Sequence, residues 1–527
     1  MLLEFIRRAG VARSALVAAA TLGAALLASC GGSSNANGPD APAIATAQSC
    51  SANNPFRNDA TAPTTLGSLR TEKTWVRSYM DQAYLWYGEV PNINPSAANY
   101  SNESDVFTSL DNYFNDLLTN TITQSGAPKD QFSFIYPTAA WDALINSGSS
   151  VGYGIEWHIG SSTPPRDIRV AYVHASSPAS AAGVLRGDTL VLADGVSADD
   201  STSTGVNTLN NALFPGAAGN HTFRFSRGGT TRPDLTLAAG SVALTPTEHQ
   251  VLNVSGQNVG YLLFNDHVLT AEPRLITAFS AFQTAGVTDL VLDLRYNGGG
   301  YLYIASQVAY MIAGATRTNN KVFERTLFNN KRSGENSNTE FIDIACLPNP
   351  STFQCTSSAA LPTLNLPRVF VLVSGSTCSA SEAIVNGLRG VDVEVRLIGT
   401  TTCGKPYGFF GQDNCGITYF PIEFQGVNAK SFGDYADGFV PSGSSNAGNN
   451  VTGCAANDDL DHALGDPAEG QLAQALFNRA NGSAQCLAVS RGDSDRQSLL
   501  AVHGSRARAT VIKPAALTNR NARLPSR

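Results

Sequence analysis

Charge is scarce in this 527-residue chain: 15% of residues are charged, only seven are lysine and only seven histidine. The net charge is −7 at neutral pH. An acidic balance without basic runs excludes a surface built for nucleic acid, and 43% hydrophobic residues exclude disorder throughout. Also missing are a His/Cys/carboxylate cluster at metal-ligand spacing and a phosphate-binding loop ahead of a basic residue, so no metal, nucleotide or other cofactor is called for. The length suits two to four domains with large cores.

The N-terminus is read as a targeting segment. Arg7, Arg8 and Arg13 form a positive region, residues 15–28 are apolar, and Leu27-Ala-Ser-Cys30 follows. Fourteen apolar residues are too few for a membrane span, which needs about 20, and suit a secretory signal. The tetrapeptide resembles a bacterial lipobox, which implies cleavage after residue 29, lipidation of Cys30, export to a periplasm or cell surface, and a membrane-anchored lipoprotein. Removing residues 1–29 takes away three arginines and one glutamate and leaves a charge of −9. Residues 30–63, rich in Ser, Asn, Ala, Gly and Pro, read as a flexible tether. Eight further cysteines suggest disulfides in an oxidising compartment. Short separations favour Cys346 with Cys355 and Cys403 with Cys415. Cys378 is left as a free thiol, a partner of Cys403 or a competing nucleophile.

The chain is organised around residues 369–405. Val369-Phe-Val-Leu-Val373 reads as a buried strand, Ser374-Gly-Ser376 as a turn, and Ala383, Ile384, Val385 and Leu388 as one face of a helix closed by Gly390. Ser379 thus stands where a strand hands over to a helix, a position that exposes a side chain and aims backbone N–H groups at a bound group. A second strand, 393–398, ends in Thr400-Thr-Thr-Cys-Gly-Lys405. An amine activates a serine only when burial keeps it neutral, and Lys405 lies among Tyr407, Phe409 and Phe410. The plain alternatives are a helix cap for Ser379 and a solvated charge for Lys405.

Thr377-Cys-Ser-Ala-Ser-Glu382, followed by Thr-x-x-Gly-Lys405, resembles the active-site segment of the C-terminal processing peptidases, or tail-specific proteases. That resemblance implies Ser379 as nucleophile and Lys405 as general base. Asp293-Leu-Arg-x-Asn-Gly-Gly-Gly300 resembles the same family, and implies an oxyanion hole from Ala380 with Gly299 or Gly300. The family's usual orienting glutamine, four positions after the lysine, is replaced by Phe409, so Gln412 is expected to take that part, with Asn386 as second choice. Asp293 and Arg295 are assigned to the fold.

Three further regions complete the reading. Aromatic residues at helical spacing within 69–118 predict a small helical domain, and residues 75–91 and 129–134 resemble the N-terminal cap of the processing peptidases. Val151-Gly-Tyr-Gly-Ile-Glu156, with Leu185-Arg-Gly-Asp188, resembles a PDZ domain. There Gly152, Tyr153, Gly154 and Ile155 would hold a peptide's terminal carboxylate on backbone N–H groups. Beyond 252, strands at 259–264 and 290–294 alternate with helices at 273–286 and 302–312, an α/β pattern. Residues 323–367 read as an aperiodic insertion, 417–425 as one strand, and 458–477 as holding a closing helix. The tail is mobile or donates one strand near 509–512.

The expected fold is an α/β multidomain chain: signal 1–29, tether 30–63, helical domain 64–150, PDZ domain 151–245, crotonase-like peptidase core 250–486 and basic tail 487–527. The expected function is an exported serine endopeptidase cutting unfolded or C-terminally tagged polypeptides. Its partners are polypeptide substrates and, through Cys30, a membrane, with no nucleic acid. A catalytically weak PDZ-based adaptor and a crotonase-like acyl-CoA enzyme are the alternatives; the second lacks coenzyme A outside the cell.

Overall fold

The structure, a computed structural model, describes residues 46–348, 355–443, 445–482, 485–487 and 520–522. The signal sequence, Cys30 and residues 509–512 lie outside the described residues.

Uninterrupted apolar runs form the centre because parallel strands are covered on both faces. A seven-stranded sheet runs Thr247–Val254, Gln257–Phe264, Asp289–Asp293, Arg368–Val373, Glu394–Gly399, Asn450–Ala455 and Val440–Ser442. The first two strands pair antiparallel as a hairpin; every later pairing is parallel. Alternation along each strand sorts side chains between two layers. Val369, Val371 and Val373 face the larger core with helices Ala271–Thr284, Leu302–Ala313 and Ala380–Gly390. Phe370 and Leu372 face the opposite layer with Leu472 and Ala475 of helix Gly470–Asn481.

The expected helical domain is not separate. Helices Leu69–Ala83 and Val106–Asp116 bury Trp75, Met80, Leu110 and Phe114 in the same cluster as the sheet's helices. The Trp75 and Tyr419 rings meet edge to face at 5.2 Å, and strand Phe134–Pro137 pairs with Ile417–Phe420. Residues 149–243 instead form a module with its own core. Its strands are ordered Ser149–Gly152, Leu235–Ala243, Gly219–Arg227, Thr189–Ala193, Asp167–Val173 and Ile155–Ser161, which leaves Ile155–Ser161 at an edge. Arg186 ties the module to the core: its guanidinium donates to Asp458 at 2.6 Å, and Asp458 also accepts from Arg295 at 2.9 Å. Arg295 in turn bonds Asp293 and Glu469, so these charges hold the fold.

Several expectations are corrected. The tether stops before residue 46: buried Gln48 donates its N–H to Asn414 at 2.7 Å, and Cys50 is bonded to Cys415. Cys403 therefore does not pair with Cys415; it pairs with Cys378, and Cys454 pairs with Cys486. The side chains of Cys346 and Cys355 are not among those described. Residues 323–367 are not aperiodic, for they include strands Val322–Phe328, Ser337–Glu340, Ile344–Pro348 and Cys355–Ala360. The strand expected at 417–425 is two, Ile417–Phe420 and Phe424–Val427, the first ending just before Pro421, which has no N–H for the ladder.

Candidate active site

Three loops meet because three neighbouring parallel strands end on the same side. Asp289–Asp293 leads to the glycines 298–300, Arg368–Val373 to Ser379, and Glu394–Gly399 to Lys405. Ligands of open parallel sheets bind at this carboxyl edge.

Ser379 sits on a strained turn with φ 61° and ψ −115°. Such a backbone costs of order 1–3 kcal/mol and persists only where its surroundings over-determine it. Here they do. The Ser379 N–H donates to Glu382 at 2.9 Å, its carbonyl accepts from Ala383 at 2.8 Å, and the Cys378 N–H donates to the Asn297 carbonyl at 3.1 Å. The Cys378–Cys403 bond joins this turn to the lysine loop. The side chain is 1% exposed, and Oγ has no hydrogen-bond partner among the described residues.

Lys405 is also 1% exposed, and its Nζ likewise has no partner among the described residues. Nζ lies 4.3 Å from the Phe409 ring centre and 5.5 Å from that of Phe132. Burial in this aromatic setting lowers its pKa from 10.5 to about 7, against the opposing pull of Asp130 and Glu382. A neutral amine is thus accessible near neutral pH, which is the condition for a base. Its loop crosses the 434–441 loop at close range: a Cβ on Gly404, at φ 82°, would lie 2.2 Å from the Ala436 carbonyl oxygen.

Glu382 is the residue that sequence reasoning did not assign. Fully buried, it accepts from the Ser379 and Lys405 N–H groups on one oxygen, at 2.9 and 2.8 Å. Its other oxygen accepts from the Thr402 hydroxyl at 2.5 Å and the Gly404 N–H at 2.9 Å. Burial pushes its pKa up and these four donors pull it down. One carboxylate therefore fixes the turn bearing Ser379 against the loop bearing Lys405. The Ser-x-x-Glu spacing at a helix start is the capping-box signal that points to it.

Asn297 organises the third loop. Its Oδ1 meets His267 Nδ1 at 3.0 Å and accepts from the Gly299 N–H at 2.9 Å, and its Nδ2 donates to the Phe264 carbonyl at 2.8 Å. Burial lowers the His267 pKa to about 3, so the ring is neutral. Gly299 therefore has its N–H committed, and of the two glycines Gly300 is the one left for an oxyanion. Gly300 has φ 135°, and a Cβ there would lie 2.5 Å from the His267 carbonyl oxygen. Ala380 opens its helix, where N–H groups have no intrahelical partner.

Neither expected orienter reaches the lysine. Gln412 donates its amide to the Asp413 carbonyl at 3.2 Å, and Asn386 donates to the Phe432 carbonyl at 2.9 Å. Gln412 is drawn into strand Gln412–Asn414, which pairs with Ile417–Phe420, and Asn386 lies inside helix Ala380–Gly390 with its amide held by Phe432. Cys378, Glu382 and Cys403 bring three potential metal-ligand atoms within 4.8 Å, but the two sulfurs are consumed by their disulfide. In the 149–243 module, Tyr153 is buried with its hydroxyl on the Ala212 carbonyl, and Gly154 turns the chain into the edge strand beginning at Ile155, after Gly152 ends the strand before it. Glu156, Trp157 and His158 of that edge strand share a cleft with Ser374, Ser376 and Thr400, next to the turn bearing Ser379.

Comparison with known proteins supplies relatives. Residues 258–408 match Peptidase family S41, and residues 71–134 match the Peptidase S41 N-terminal domain. A carboxyl-terminal-processing protease of Picosynechococcus sp. is 26% identical over 266 residues, 50% of this chain and 56% of the relative. The chain thus spans about half the length of that curated relative. Among solved structures, an S41 protease candidate of Bacteroides fragilis NCTC 9343 superposes with a TM-score of 0.56 at 24% identity, covering 77% of this chain and 97% of the other. That likeness bears on the fold.

Proposed function

We propose that this chain, whose residues 258–408 match Peptidase family S41, is an exported serine endopeptidase working through a Ser379–Lys405 dyad. The observation that carries this reading is the pair of buried groups, Ser379 Oγ and Lys405 Nζ, without a partner among the described residues, on loops fastened to each other by Glu382 and a disulfide. Lys405 takes the hydroxyl proton as Oγ attacks a peptide carbonyl. The Ala380 and Gly300 N–H groups hold the oxyanion, each contributing about 3 kcal/mol. Lys405 then returns the proton to the leaving amine, and water hydrolyses the acyl-enzyme.

The 149–243 module is taken as a PDZ domain and the sheet-and-helix core as crotonase-like. In this reading a substrate's C-terminal end adds a strand to Ile155–Ser161 with its carboxylate at the 152–155 loop. The cleft beside Ser374 and Ser376 leads the chain onward toward Ser379. A lipid on Cys30 would fasten the enzyme to a membrane outside the cytoplasm. Only this chain's own residues are needed for the chemistry.

The test is hydrolysis of an unfolded, disulfide-free protein by residues 31–527, beside Ser379→Ala and Lys405→Ala. Cleavage lost in both variants supports the dyad, and dependence on a free substrate C-terminus supports PDZ capture. Wild type cutting no faster than the variants, while binding C-terminal peptides, would leave the adaptor. That reading draws on one observation, that no amide among the described residues orients Lys405 Nζ.

A further inference from the structure

We infer that the chain's own C-terminal tail is a substrate of this site, bound across it as a strand and cut in or beside residues 520–522. The inference rests on the peptidase reading above. Arg520–Ala522 pairs in parallel with Gly299–Tyr301, in the register Gly299 with Arg520, Gly300 with Asn521 and Tyr301 with Ala522. This two-stranded ladder belongs to neither large sheet. The tail strand also lies near Tyr407–Gly408, which begins two residues after Lys405, and the helix that Ser379 caps packs on Gly299–Tyr301. The tail backbone is therefore next to both the glycine loop at 298–300 and the strand that follows Lys405. On the peptidase reading, a peptide held for attack at Ser379 would lie along the same glycine loop.

The composition of the segment argues for a ligand and against a structural strand. Arg-Asn-Ala offers no apolar pair to the core, so its ladder is main-chain recognition, which is tolerant of sequence and suits a broad peptidase. Charge agrees: Arg520, Arg523 and Arg527 lie in the last eight residues with no acid among them. Asp434, Asp130, Asp437 and Glu89 set a negative field at Tyr407, whose pKa is raised to about 12 by burial first and those carboxylates next. The stem of the tail is anchored at Cys486 by its bond to Cys454. Residues 488–519 could extend about 100 Å at ~3.3 Å each, ample to reach the site within one chain.

The step needs only water. Ser379 Oγ bonds to the tail carbonyl carbon while Lys405 Nζ takes its proton. The C–N bond then breaks, and Lys405 gives that proton to the departing amine of the fragment ending at Arg527. Water splits the ester and restores the hydroxyl, leaving a new carboxylate on the shortened tail. Until then the tail competes with any other polypeptide.

Two measurements on residues 31–527 test this. Intact mass should show wild type lacking a fragment that ends at Arg527, with Ser379→Ala complete. Loss at a rate independent of protein concentration marks an intramolecular cut. In the Ser379→Ala background, Asn521→Pro with Ala522→Pro removes two N–H groups from the tail and should speed hydrogen exchange at Gly300 by at least about tenfold, the Gly299 and Tyr301 N–H groups being held by Asn297 and the His267 carbonyl. A tail intact to Arg527 in a preparation that digests added unfolded protein overturns self-cleavage. Equal exchange in the two Ser379→Ala proteins overturns occupancy. If wild type digests nothing, the peptidase reading falls, and the exchange comparison decides by itself whether the tail fills the site.

Discussion

Replacing Lys405 by methionine separates the lysine's chemistry from its cost to the fold. The side chain keeps its length among Phe132 and Phe409 and loses the amine. In the folded chain the amine titrates at about 7, against 10.5 when solvated, a difference worth roughly 5 kcal/mol. Its folded pKa is lowered, so the unfolded state binds more protons between about pH 7 and 10.5, and stability rises with pH in that window. Below pH 7 the penalty is full. Lys405→Met should therefore be more stable than wild type by up to about 5 kcal/mol at pH 6, and the margin should shrink by roughly 3 kcal/mol by pH 9. Urea unfolding of the two proteins, compared at each pH, cancels the other titrating groups. Wild-type kcat/KM should climb tenfold per pH unit below about 7 and level above it, while the variant is inactive throughout. A stability margin equal at pH 6 and 9, or an activity midpoint near 10, would refute a buried amine poised as base.

Glu382→Gln places an NH2 against two donors whichever way the amide turns, since each oxygen accepts two. It should lower kcat about 100-fold with a smaller change in KM, measured on a soluble peptide. Removing the Cys378–Cys403 bond, which closes 25 residues, by a double alanine change should cost about 3 kcal/mol of stability. Thiol reductant should inactivate wild type in parallel, read by activity before and after reoxidation. Gly300→Ala, forced toward the His267 carbonyl at a positive φ, should cut kcat at least about 100-fold while Ser379 remains titratable by a serine-directed acylating reagent.

The parallel sheet was legible because its strands, buried on both faces, read as continuous apolar runs. Ser379, Lys405 and the 298–300 glycines follow those runs directly. What escaped depended on contacts far along the chain. The polar stretch 46–63 has a tether's composition, yet Gln48 and Cys50 grip residues more than 360 positions away. Spacing chose nearest cysteines, while Cys415 was drawn to the N-terminal segment. The aromatic stripe at 69–118 was read as its own core, but Trp75 and Phe114 complete the core of the sheet. Glu382 resembled an ordinary helix-start acid until the lysine loop folded over it.

The Cys50–Cys415 bond spans 365 positions and ties the beginning of the described chain to the turn between strands Gln412–Asn414 and Ile417–Phe420. A backbone scission anywhere between those cysteines leaves both pieces joined. If the proposed peptidase activity holds, copies of the chain are exposed to such nicks, and a nicked molecule keeps its two pieces joined through this bond. On a gel the damage would appear only after reduction, and wear would accumulate in a working population as hidden breaks, with loss of activity coming later.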